Sequence, residues 1–138
     1  MVLASGQSGT RTVFSTFLVA DGVVSGVVRI VEVPNRTGDP DSVSRDDLVF
    51  REGRMHRINT NKSFKASINP QTCAASITIH QTAAIRGGTA RFSRALGRFV
   101  GDVRGRGVAR RNSNGACSQQ DALLLEADLV SATGTLSF

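Results

Sequence analysis

Three side chains pair an ionisable head with apolar residues at alternate positions, the pattern that would aim a polar group into an otherwise apolar cavity. They are His56 beside Ile58, Arg29 beside Val27 and Val31, and Glu32 beside Ile30. Successive side chains of a strand point to opposite faces, so Arg29 and Glu32 cannot both point inward. His56 has the ionisation range of a general base at neutral pH. Its neighbours Arg54 and Arg57 fit a surface position instead. His80 shares a face with Ser76 and Thr78 and reads as outward.

Other chemistries find little support. Cys73 and Cys117 are the two cysteines, with no CxxC or Cys/His spacing, so a metal site is not expected. No Gly-x-Ser-x-Gly elbow is present for a nucleophilic serine. Gly87-Gly-Thr-Ala-Arg91 lacks the lysine and following helix of a phosphate loop and reads as a hairpin turn. With no Trp and no Tyr, phenol chemistry and indole stacking are absent.

All but two of the 17 basic residues are arginines, the exceptions being Lys62 and Lys65, and the net charge is +6. Such a surface attracts anionic partners or is simply solvated. Residues 86 to 111 hold eight arginines and one acid, Asp102. Single-strand binders interleave stacking aromatics, and here only Phe92 and Phe99 are available, so nucleic acid is not the expected partner.

The elements that must position these groups are strands. A chain of 138 residues suits one domain with its own core. Residues 4 to 10 are small and polar, and residues 1 to 10 read as a flexible lead-in to a single domain over 11 to 138. From Arg11 the chain runs as short β-rich segments between Gly, Pro, Asn and Asp, with no stripe of helical period. Candidate strands lie at 11–20, 23–33, 46–51, 54–59, 62–69, 73–82, 84–95, 98–111 and 121–138. That number predicts an all-β barrel or sandwich. Pro34 to Ser44 is the longest irregular stretch, a loop of the kind that borders barrel mouths. No window is long and apolar enough to span a membrane.

Alternation assigns the faces. In 98–111 one face carries Arg98, Val100, Asp102, Arg104 and Arg106, while the other carries Phe99, Gly101, Val103, Gly105 and Gly107. A charged outside and a small-residue inside leave volume for a cavity. The core faces read as Phe64, Ala66 and Ile68, then Ala75, Ile77 and Ile79, then Leu123, Leu125, Ala127 and Leu129. Glu126 and Asp128 are expected outside, opposite Arg104 and Arg106. The expected cavity lining is Phe64, Ile77, Ile79, Phe99, Gly101 and Leu125. Val23 to Val33 is apolar on both faces, which predicts cover from a second subunit, hence a homo-oligomer, or from the chain's own loops.

Cys73 and Cys117 both stand at loop-strand junctions. Either they bridge, closing a loop worth roughly 4 kcal/mol of chain entropy, or they are separate thiols. A bridge places the protein in an oxidising compartment, secreted or at the cell envelope; reduced thiols fit the cytoplasm. The first ten residues lack the basic and apolar regions of a signal peptide, so a secreted protein would begin here after a removed leader.

A family pattern appears in the second half of the chain. Ile68-Asn-Pro-Gln-Thr-Cys73 is followed by Ile85-Arg-Gly-Gly-Thr-Ala-Arg-Phe92, Ala95-Leu-Gly-Arg-Phe99, Gly105-Arg-Gly107 and Gly115-Ala-Cys117. It resembles the bacterial, largely actinobacterial, allene oxide cyclase-like or dirigent-like β-barrel proteins over roughly residues 60 to 138. The turn departs from the pattern at Ala90, where glycine is usual. The resemblance implies a closed eight-stranded antiparallel barrel with a cavity, frequently oligomeric, and a Cys73 to Cys117 disulfide. It transfers no catalytic residue. Plant members cyclise an unstable epoxide or guide radical coupling, and bacterial barrels of the class catalyse cyclisations. The expectation is a cyclase or isomerase of a small apolar metabolite, using no metal or organic cofactor and working mainly by holding its substrate in one conformation. The competing expectation is a secreted, non-catalytic barrel that binds a hydrophobic ligand or an anionic envelope polymer.

Overall fold

The computed structural model describes residues 2–8, 11–15, 17–121 and 123–138, with side chains from Val19 onward. Among the described residues, β-branched and apolar runs bounded by turn formers give nine strands: β1 Val2–Ser8, β2 Arg11–Ser15, β3 Phe17–Ala20, β4 Gly26–Val33, β5 Val43–Phe50, β6 Gly53–Ile68, β7 Ala74–Gly88, β8 Leu96–Val108 and β9 Leu125–Ser137. Among the described residues the one helical segment is a 3-10 turn at Ala90–Phe92. Among the described residues no helix is long and apolar enough to cross a membrane.

From β3 to β9 each strand pairs antiparallel with the next, forming a seven-strand sheet that curls into a half-barrel. β1 continues the sheet at β9, with Val2 opposite Leu129 and Leu3 opposite Asp128, and β2 lies beyond it. The curl also brings Cα atoms of β1 within 8 Å of β3. Val2–Ser8 falls in the stretch expected as a lead-in, yet it runs as a strand. Ladder hydrogen bonds are made by backbone, so small polar side chains do not prevent the pairing. Residues 1, 9 and 10 of that stretch lie outside the described residues.

Two turns show how local chemistry ends a strand. Between β6 and β7, the Asn69 side chain accepts the N–H groups of Gln71 and Thr72 at 2.9 and 3.2 Å. That Asx geometry reverses the chain at Pro70 and delivers Cys73 at φ +59°. Cys73, itself buried, is disulfide-bonded to Cys117, 44 residues on. After β7, Thr89 enters the 3-10 turn and Ala90 takes φ +50°, a left-handed conformation that glycine tolerates best. The turn drives Phe92 fully into the interior. Its ring stands 5.0 Å from Phe50 and 5.2 Å from Phe138. With Val28, Leu48, Met55, Ile85 and Ala95 it forms the main core, which packs one end of the sheet.

The ladders line up as rows across the concave face. One row runs Asn59, Ala83, Phe99 and Gly134; the next runs Gln81, Gly101 and Ala132. Phe64, Ile79, Val103 and Val130 make a third, and Ala66, Ile77, Gly105 and Asp128 a fourth. The inward assignment of Phe99, Gly101, Val103, Gly105 and Gly107 agrees with the strand alternation. The glycines are there for contact as much as for volume. A Cβ on Gly101 would lie 2.2 Å from the Ser131 carbonyl oxygen, and one on Gly134 would lie 2.0 Å from that of Arg98.

β9 has the opposite phase to the one expected. Leu125 and Leu129 are 60% and 47% exposed, while Glu126 and Asp128 turn to the concave side. Pairing of Asp128 with Gly105 and Glu126 with Gly107 decides it. The glycines leave room for carboxylate side chains, and a Cβ on Gly105 would lie 2.5 Å from Asp128 Oδ1. Leu129 instead lies opposite Arg104 on the outer face, where the arginine stem can cover it. On β4 Val28 is fully buried, whereas Val27 and Val33 are exposed at 69% and 38%.

Candidate functional site

The concave face holds a partly open cavity of about 520 Å³, within the range of small-ligand pockets. Its walls are mainly apolar. Leu48, Phe50, Met55 and Ile85 form one side, Phe99, Val130, Ala132 and Gly134 another, and the β3–β4 connection from Val19 to Val24 also lines it. Val19 and Val23 remain 60% and 68% exposed.

One corner is polar. Asp46 lies opposite Arg57 across the β5–β6 ladder, and Asn59 is two residues further along β6 on the same face. Arg57 donates Nε–H to Asp46 Oδ1 and Nη2–H to Oδ2, each at 2.7 Å. Asn59 Nδ2 donates to Asp46 Oδ2 at 2.9 Å. Asp46 and Asn59 are buried, and Arg57 and Asn59 line the cavity. Gln81, which lines it too, donates Nε2–H to Asn61 Oδ1 at 2.7 Å. Among the described residues no buried side-chain nitrogen or oxygen lacks a partner. A bidentate guanidinium–carboxylate pair held by a third donor is rigid, and it presents hydrogen-bond donors without net charge.

Phe99 and Gly101 line the cavity. Ile77 and Ile79 share the concave face but lie further down β7, outside the cavity lining. Phe64 lies opposite Ile79 on that same face and is 62% exposed. Leu125 points outward and does not line it.

The three candidate reactive groups all lie elsewhere. His56 is on the outer face because Met55 and Arg57 take the inner one; its Nδ1 pairs with Asp47 Oδ1 at 2.7 Å. Arg29 is exposed on the face opposite buried Val28. Glu32 shares the inward phase of Val28 and Ile30 but is exposed at the strand end, opposite Asp46. His80 is outward as expected, paired with Asp102 Oδ1 at 2.8 Å. The Pro34 to Ser44 loop does not line the cavity among the described residues. Asp39 ties it down by accepting from Arg45 and from the Arg36 backbone, and these bonds hold its carboxyl down at about 2.

Asp46, Arg57 and Asn59 escaped the sequence reading because alternating polar residues look solvated. The available signal was phase: Met55, Arg57 and Asn59 alternate on one face, as do Asp46, Leu48 and Phe50.

Among the described residues no cluster of His, Cys, Asp and Glu is suited to hold a metal ion. Comparison with protein-family models, curated proteins and solved structures returns no match.

Proposed function

We propose that the half-barrel closes where β1 meets β3, giving an eight-stranded barrel of the allene oxide cyclase-like class, and that it acts on a small apolar metabolite as a cofactor-independent cyclase or isomerase. The observation that carries this reading is the cavity, about 520 Å³, mainly apolar and provided with one charge-balanced polar corner. Such a chamber holds a flexible substrate in one reactive conformation while a fixed donor meets charge that develops on it. The disulfide supports an oxidising location, secreted or at the envelope.

A second reading has its own support. Arg104 and Arg106 stand on the outer face, and the acids expected to offset them are turned inward. That favours a secreted binder of an anionic polymer.

Binding of an uncharged fluorescent dye such as Nile red tests the cavity reading. Ala83 faces the cavity beside Asn59 and Phe99. Wild-type protein is expected to bind the dye and Ala83→Phe to lose it while staying folded. Equal binding by both would place the dye elsewhere and remove the support for a ligand chamber.

A further inference from the structure

The polar corner carries a statement about which molecules fit. Asp46 accepts three hydrogen bonds, two from Arg57 and one from Asn59, and cancels the guanidinium charge. The two Nη1 hydrogens of Arg57 have no partner among the described residues. Arg57 lines the cavity, and its Nη1 takes no part in the two bonds to Asp46. The cavity therefore offers a donor at one corner and apolar surface around it. It offers no net positive charge: a ligand carboxylate placed on Arg57 would also stand near Asp46, with Glu32 opposite Asp46 on β4. Apolar walls screen that repulsion poorly.

We infer that the cavity selects neutral apolar molecules bearing one accepting oxygen, such as a ketone or ether, with Arg57 as donor and Asp46 as the residue that sets the charge preference. The inference rests on the ligand-cavity reading and names its ligand class. Asp46 is a positioning and selectivity residue, because it acts through Arg57.

Displacement of Nile red from the intact, disulfide-bonded chain tests it with three probes of similar shape at neutral pH: acetophenone, benzoate and ethylbenzene. Acetophenone is expected to displace the dye at a concentration about tenfold below that of either other probe, the size of one good hydrogen bond to a charged donor. In Asp46→Asn the guanidinium loses its counter-charge, and benzoate is expected to overtake acetophenone. In Arg57→Met, acetophenone and ethylbenzene are expected to compete equally. Benzoate matching acetophenone on the wild type, or an unchanged order in Asp46→Asn, overturns the inference while leaving the cavity standing. Failure of the wild type to bind Nile red overturns the cavity reading itself. The wild-type order is decisive alone if either variant does not fold.

Discussion

Asp46 faces Arg57 directly across the β5–β6 ladder, and both of its carboxylate oxygens take guanidinium hydrogens at 2.7 Å. Both side chains are largely withdrawn from water, at 10% and 16% exposure. Removing Arg57 leaves the buried Asp46 carboxylate with no counter-charge and with Asn59 as its remaining side-chain donor among the described residues. Arg57→Leu is expected to lower unfolding stability by about 3–5 kcal/mol, and the double replacement Asp46→Leu/Arg57→Leu by clearly less. Urea unfolding monitored by circular dichroism checks both.

Ala90 holds φ +50° at the entrance to the 3-10 turn, a left-handed conformation that glycine adopts without strain. A left-handed alanine costs about 1–2 kcal/mol, partly offset by the greater unfolded entropy of glycine. Ala90→Gly is expected to stabilise the protein by about 0.5–1 kcal/mol, read as a raised urea midpoint with unchanged slope.

The Cys73–Cys117 bridge ties the β6–β7 turn to the connection between β8 and β9. Replacing both cysteines by serine is expected to cost about 4 kcal/mol, most of it through the freed unfolded chain. Thermal melts of the variant and of reduced wild type should fall together below oxidised protein.

Glu126 is pushed above the ordinary glutamate range, first by burial and then by the neighbouring Asp128 carboxylate. The folded chain therefore holds this proton more tightly than the unfolded chain. The resulting stability is full below the ordinary glutamate value and is lost as pH rises through the raised one. Glu126→Gln is expected to flatten that decline in urea midpoints taken from acidic to neutral pH. An unchanged slope would contradict the assignment.

These elements also mark how far the sequence could be read. The β class, the inward row from Phe99 to Gly107 and the outward His80 followed from alternation, because β7 and β8 pair in one unbroken register. The phase of β9 did not, since three leucines beside two acids suggest a buried apolar face. Its true phase comes from glycines on the partner strand, a property of the pair rather than of β9. β6 breaks register near Met55 and again near Asn61, so faces assigned at one end do not carry to the other. The cavity's polar corner was hidden for a related reason: Asp46, Arg57 and Asn59 satisfy one another, and only the ladder brings them together.

Xenon-pressurised crystals of the wild-type protein test the ligand chamber itself, because apolar cavities take up xenon. Xenon density is expected between Leu48, Ile85, Phe99 and Val130 and is expected to be absent from Ala83→Phe crystals. An interior filled by side chains, with no xenon site on the concave face, would contradict it.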